Sequence, residues 1–289
     1  VVVPDQLLSR LPFEVLIEEF DPQDRLDEMA FLIKNYSIRY RLSSLLEDQN
    51  RSGSAKRSVL GLGYSNGSAV EGYSNLPGTE NEINFLKASY QGVFINSASK
   101  DQFLDLSGDF DILHLAVHGA SDTVNKYDSR LIFSSGDEPE LKTSDLYLAG
   151  LNARLAVLSA CESGLGAMNK GEGTFSIARG FALSGVPSVV MSLWKVNDKV
   201  TSKLMQSMYK KFIEDAENIN SSLQLAKKEY LQNADTYFSH PFYWASFIHL
   251  GEDLTFKKTK SYGWIYIFAL AVVALLLFYT TTKKRKRVN

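Results

Sequence analysis

Apolar positions in this chain follow two different periods. Short runs in which almost every residue is apolar, such as Leu155-Ala-Val-Leu158 and Val189-Val-Met-Ser-Leu193, read as strands covered on both faces, because a half-wetted strand must alternate. Stretches with apolar residues three and four apart, at 199–212 and 221–233, read as amphipathic helices. The same reading predicts strands over 58–63, 93–96, 111–118, 155–160, 187–193 and 244–250, and helices over 79–90, 100–106 and 174–184. Thr79 is the predicted N-cap of the first helix, with Glu82 three residues on completing a capping box. Gly185 closes the helix at 174–184. Strands and helices alternating at this spacing predict an α/β domain with a mainly parallel sheet, helix-covered on both faces. The first 50 residues are less regular, with an extended start, a Leu11-Pro-Phe-Glu14 segment and an alternating stretch at 36–40; the polar run 47–56 reads as a loop.

One apolar run is of another kind. Residues 261–282 carry no charge, and their centre, Trp264 to Tyr279, is almost wholly apolar. About 20 residues at ~1.5 Å each span a ~30 Å hydrocarbon core. Trp264, Tyr266 and Tyr279 sit near the ends, where interfacial aromatics belong. The run is therefore expected to be a single transmembrane helix, about 262–282, within a segment 257–289 that follows a domain at 1–256. Five basic residues follow it (Lys283, Lys284, Arg285, Lys286, Arg287) and three precede it (Lys257, Lys258, Lys260). The positive-inside bias predicts a cytoplasmic tail and an extracytoplasmic body. The chain begins at Val1 rather than Met, so it is expected to be the C-terminal part of a longer protein.

Charge sharpens this division. The net charge is −2, and residues 257–289 hold eight Lys/Arg and no acid, which leaves −10 on residues 1–256. An acidic body argues against direct nucleic-acid binding, which needs a basic face. The hydrophobic share of 45% excludes a disordered chain. A single cysteine excludes an intramolecular disulfide and a cysteine-based zinc cluster. The Gly-rich stretch at 61–72 lacks the Gly-Lys-Ser/Thr of a P-loop.

In such a sheet, sites lie at the carboxyl ends of strands. His118, followed by Gly119, ends one predicted strand, and Cys161 ends another. If those strands are parallel neighbours, thiol and imidazole face one crevice. The imidazole activates the thiolate and later protonates the leaving amine. The N–H groups of Gly119 and Cys161 are candidates for the oxyanion hole. A lone Cys after an apolar strand also reads as core packing. His114 lies four residues before His118, ~13 Å along a strand. That is too far for a shared metal, and His-x-x-x-His binds zinc on helices rather than strands, so His114 reads as a core or supporting residue.

His114-Leu-Ala-Val-His-Gly119 and, 43 residues after the second His, Ser159-Ala-Cys-Glu-Ser-Gly164 resemble the caspase-like cysteine peptidases. With Leu11-Pro-Phe-Glu14, Leu76-Pro-Gly78, Gly171-Glu-Gly173, Ala178-Arg179, Ser192-Leu-Trp194 and His240-Pro-Phe-Tyr-Trp-Ala245, in order over nearly all of residues 1–251, the chain resembles a CHAT domain. This is the caspase-like module found with tetratricopeptide repeats. The resemblance implies a caspase-like three-layer αβα sandwich, a His118/Cys161 dyad, a protein or peptide substrate, upstream repeats that regulate it, and no cofactor. In relatives that cut after basic residues an Asp stands two before the nucleophile; here it is Ser159. The resemblance assigns Ser192 and Trp194 to the strand that pairs with an extended substrate. Glu172 and Asp198 are candidate acids, and Asp122 and Asp128 candidate third members, none selected by its spacing. A different class remains beside the enzyme: a non-catalytic scaffold with the same fold.

Overall fold

A computed structural model of the chain describes residues 1–43, 57–64, 70–120, 129–159, 176–195, 198–215 and 217–255. The strands, in chain order, are β1 (Arg39–Tyr40), β2 (Val59–Gly63), β3 (Gly92–Ile95), β4 (Ile112–Ala116), β5 (His118–Ala120), β6 (Arg130–Ile132), β7 (Glu140–Lys142), β8 (Leu155–Leu158), β9 (Ser188–Ser192) and β10 (Phe247–Gly251). The helices are α1 (Pro77–Ser89), α2 (Lys100–Leu106), α3 (Thr143–Ala149), α4 (Ser176–Leu183), α5 (Asp198–Tyr209), α6 (Ile219–Asn233) and α7 (Pro241–Trp244). All of them lie in one compact unit, Val1–Phe256.

Seven strands form the main sheet, in the order β1-β10-β9-β8-β4-β2-β3. It is parallel except where β10 runs against β9. β2, β4, β8 and β9 are buried along their whole length, as their near-continuous apolar runs require. Alternate residues feed two cores. Leu113 and Leu115 pack with Phe103 of α2, Leu146 of α3 and Phe181 of α4. Ile112 and Val157 pack on the other side with Leu86 of α1, Leu204 and Met208 of α5 and Leu223 of α6. The result is the expected mainly parallel sheet with helices on both faces.

Four details differ from the periodicity reading. The strand over 111–118 stops at Ala116, and His118 opens β5 in a separate antiparallel sheet with β6 and β7. The register of β2 with β4 ends at Gly63 and Ala116, so beyond that point the strand has lost this neighbour. The capping box at Thr79 does not form. Pro77 already opens α1, where proline's fixed φ suits a first turn. The Thr79 hydroxyl bonds to the carbonyls of Tyr64 and Leu76, and Glu82 is buried against His114. The strand over 244–250 begins at Phe247, because Pro241–Trp244 is a helical turn capped by the His240 ring. The sequence reading also left α3 unassigned; its seven residues are too few for a period to show.

The Leu11-Pro-Phe-Glu14 segment is the anchor of the irregular N-terminal region. Glu14 accepts hydrogen bonds from Lys227 Nζ at 3.1 Å and Tyr40 Oη at 2.6 Å, and the Phe13 N–H donates to Tyr40 Oη. Glu14 and Lys227 are both buried, so this ion pair sews the N-terminal region to α6. Among the described residues no helix is long and apolar enough to cross a membrane. The run at 261–282 lies outside them, as do Cys161, Glu172, Asp122 and Asp128.

Candidate active site

His118 stands just past the point where the chain leaves β4 of the main sheet, only 7% exposed. Its Nε2 lies 2.7 Å from the backbone carbonyl oxygen of Ser74. A carbonyl can only accept, so Nε2 carries a proton. Tyr64 meets the ring edge-on with centroids 4.5 Å apart, and Tyr73 lies at 5.1 Å. Among the described residues, the imidazole is thus held by one hydrogen bond and two aromatic walls. Burial pushes its pKa below the usual 6.5 and Lys195 adds to the fall; the Ser74 carbonyl and Asp198 act the other way. The net result is a ring neutral at physiological pH. With Nε2 protonated, the lone pair is on Nδ1, which is what a general base needs.

Ser74 is held in place by the motif that follows it. Leu76 is buried in the core, Pro77 starts α1, and Gly78 abuts the first residue of α5. A Cβ on Gly78 would lie 2.5 Å from Asp198 Cβ and 2.9 Å from its carbonyl oxygen. Gly78→Ala is therefore expected to force α1 and α5 apart, costing about 1–3 kcal/mol and displacing the Ser74 carbonyl. Gly108→Ala is the control, since an added Cβ there meets nothing within 4 Å. Thermal melts and a cleavage assay on both variants test this; equal behaviour would remove Gly78 from the site's support.

The low pKa of His118 also has a sign. Below pH 6.5 the unfolded chain takes up this proton more readily than the folded one, so His118 withdraws stability as pH falls through that region. NMR titration of the His118 ring in a Cys161→Ala variant should give a midpoint under 6.5. Lys195→Met should raise it. A midpoint at or above 6.5 would show that the ring is not buried as described.

The other predicted residues follow the strand order. Gly119 is half-buried in β5 opposite Leu131. Ser159 is buried directly after β8, the parallel neighbour of β4. Ser192 ends β9, the next strand, buried and paired with Phe247. His118, Ser159 and Ser192 therefore line the carboxyl ends of consecutive strands β4, β8 and β9. Leu193 N–H already bonds Ser246 O, and Trp194 Nε1–H bonds the Phe242 carbonyl while its ring packs against the core. Trp194 thus braces α7. Asp198 comes close enough for its charge to reach His118.

His114 is fully buried on the opposite face from Leu113 and Leu115. Its Nδ1 lies 3.1 Å from Tyr209 Oη and its Nε2 3.2 Å from Glu82 Oε2. It ties β4 to α1 and α5 and takes no part with His118. The described residues contain no group of three or more His, Cys, Asp or Glu placed to hold a metal ion. Sequence reasoning missed Ser74, Tyr64, Tyr73 and Lys195. Only the Leu76-Pro-Gly78 motif beside Ser74 gave any signal.

Residues 1–252 match the family model described as CHAT domain. A curated relative, tetratricopeptide repeat protein 28 of Mus musculus, is 25% identical over 121 residues, covering 42% of this chain and 5% of that protein. Among solved structures, the Saccharomyces cerevisiae separase–securin complex aligns over 86% of this chain and 15% of the matched chain, with a TM-score of 0.55 at 16% identity; this shows a shared fold. Caspase-1 from Spodoptera frugiperda aligns over 71% of this chain and 90% of its own, with a TM-score of 0.41 at 15% identity. The chain spans only a small fraction of the length of the first two relatives.

Proposed function

The chain belongs to the CHAT domain family, and from that premise we propose that it is a caspase-like cysteine endopeptidase with His118 and Cys161 as its dyad. The observation that carries this reading is the Nε2–H to Ser74 carbonyl bond, which fixes the proton on Nε2 and so places the lone pair of the neutral ring on Nδ1. Register supports the partner. β4 and β8 pair with a constant offset of 43 residues, from Ile112↔Leu155 to Leu115↔Leu158. His118 and Cys161 are separated by the same 43 positions in sequence, the spacing expected of two residues that follow paired parallel strands.

In this mechanism His118 Nδ1 takes the thiol proton of Cys161. The thiolate sulfur attacks the peptide carbonyl, and the negative charge that forms on oxygen is met by the N–H groups of Gly119 and Cys161. The C–N bond breaks as His118 returns the proton to the departing amine. Water, deprotonated by the same ring, then hydrolyses the thioester and frees Cys161. The Ser74 carbonyl holds the ring in one orientation through the cycle and stabilises the imidazolium form. No cofactor enters.

The substrate is a protein or peptide, and upstream tetratricopeptide repeats regulate access to the site. The run at 261–282 anchors the protein in a membrane with its basic tail cytoplasmic. Protease accessibility of the body in intact cells tests the orientation; protection until the inner membrane is broken would reverse it. The activity is tested by a peptide-library cleavage profile of the full-length protein and its Cys161→Ala variant, with labelling by an irreversible thiol-directed peptidyl inhibitor. Labelling of Cys161 and loss of cleavage in the variant are expected. An unlabelled Cys161, with all function kept in Cys161→Ala, would leave the scaffold reading in possession.

A further inference from the structure

We propose that the aromatic cavity formed by Tyr237, Phe242 and Tyr243 is a docking site for an arginine side chain presented by a protein partner. These residues come from the His240-Pro-Phe-Tyr-Trp-Ala245 motif and the turn before it. The cavity holds about 440 Å³ and is lined by Leu26, Thr236, Tyr237, His240, Phe242 and Tyr243. Its rings meet at open angles. Phe242 and Tyr243 cross at 84° with centroids 5.3 Å apart, and Tyr237 and Tyr243 at 52° and 5.9 Å. Tyr237 is 70% exposed and Phe242 45%, yet the backbone that carries them is pinned from below. Trp244 Nε1–H donates to the Ser239 carbonyl, Trp194 Nε1–H to the Phe242 carbonyl, and the Ser239 hydroxyl to the Thr236 carbonyl. Contiguous aromatic surface left facing water on a fixed backbone marks an interaction site.

The chemistry of the walls selects the occupant. Ring faces carry negative charge, and several rings around one space attract a weakly hydrated cation. The polar side chains of the lining are already engaged. Thr236 Oγ1 accepts from Arg25, and His240 Nδ1 accepts the Phe242 N–H, so a sugar would find few partners for its hydroxyls. An accepting Nδ1 carries no proton, so the His240 ring adds no positive charge. The neighbouring cations are spent as well: Arg25 makes two bonds to the Asp27 carboxylate, and Lys34 bonds the backbone carbonyls of Asp27 and Glu28. Asp235, next to Thr236, is exposed; its carboxylate accepts the Phe238 N–H and has no cationic partner among the described residues. The Tyr243 pKa is raised chiefly by its hydrogen bond with Tyr237 and in part by the charge of Asp235, whose field therefore reaches the cavity. Residues 1–256 as a whole carry −10, which also draws a cation. Arginine suits the cavity better than lysine, because its planar, weakly hydrated guanidinium stacks on a ring while its N–H groups reach a carboxylate. This inference is independent of the peptidase reading.

The test uses the full chain with Cys161→Ala, so that binding is read without cleavage. The probe is a fluorescein-labelled, end-blocked Gly-Ser peptide carrying one arginine, and the control carries citrulline there, which keeps the shape and removes the charge. In anisotropy titrations the arginine peptide should bind roughly fivefold more tightly than the citrulline peptide, as cation–π contacts at an exposed site allow. Tyr237→Leu/Phe242→Leu should remove that preference without lowering the melting temperature, since both side chains are exposed. Asp235→Asn keeps an acceptor for the Phe238 N–H and should reduce the preference in part. Equal binding of the two peptides, or a preference unchanged in the double variant, would overturn the proposal. So would a dimer of the chain, detected by sedimentation and abolished by the same double variant, because a second copy would then be the occupant.

Discussion

Alanine in place of His118 is expected to lower kcat/KM for peptide cleavage by roughly 10²–10⁴-fold, the usual contribution of a positioned general base. The loss should fall on kcat, because the imidazole acts on the reacting proton and not on the bound peptide. Stability should change far less. The variant leaves the Ser74 carbonyl without its donor, a penalty of about 1–3 kcal/mol, and opens space between Tyr64 and Tyr73. A second substitution separates the proposed mechanism from a general disturbance of the pocket. Only the backbone of Ser74 touches the ring, so Ser74→Ala should cleave within about twofold of the unmodified chain. If His118→Ala retains full cleavage, or if Ser74→Ala is as damaged as His118→Ala, the assignment of the base and its orienting carbonyl fails. Steady-state kinetics on a single peptide substrate, read with a thermal melt of each variant, settles both outcomes.

Breaking the buried pair of Glu14 and Lys227 should be the most destabilising single change in the body. Both side chains are essentially sealed from water. Burial drives the Lys227 pKa down, and only Glu14 opposes it. Glu14→Gln removes that opposition and leaves a cation in an apolar interior, which costs about 3–5 kcal/mol. For a body of this size the melting temperature should fall by on the order of 10 °C. Lys227→Met leaves the carboxylate buried instead, with Tyr40 as its remaining donor, and should cost a similar amount. The double variant Glu14→Gln/Lys227→Met removes both charges and should regain most of the loss. A double-mutant cycle reads the coupling directly; additive losses would show that the two residues act apart. The pair joins segments 213 positions apart in sequence, so its loss should loosen the N-terminal region from α6 before the sheet itself melts. Hydrogen exchange at Arg39–Tyr40, the strand this region lends to the sheet edge, reports that loosening.

Much of this architecture was legible in the linear chain for one reason: local periodicity records how each segment is covered. The continuous apolar runs at Leu155–Leu158 and Ser188–Ser192 became central strands, and the 3.6-residue pattern over 199–212 and 221–233 became α5 and α6, packed against Leu86 and Val157. Periodicity ran that strand on to His118, two residues past its end at Ala116, though the 43-residue spacing to Cys161 equals the offset at which β4 and β8 pair. Boundaries were less legible. Glu82 stands where a capping glutamate belongs, yet it is buried against His114, because a helix packed on a sheet puts that position inside.

The sequence by itself determined the kind of most elements, the two-sided burial of the sheet, and the residue types on which the proposed thiol chemistry rests. All of these follow from side-chain identity read over a few neighbouring positions. Tertiary structure alone decided which group orients His118. The partner is a backbone carbonyl 44 positions away, and every residue has one, so no side-chain pattern marks it. It also decided that the chain turns out of the main sheet at His118, that β10 runs against β9, and that Glu14 finds Lys227. Each of these depends on which distant segments the sheet and its helices bring together, and a local reading of the chain does not contain that information.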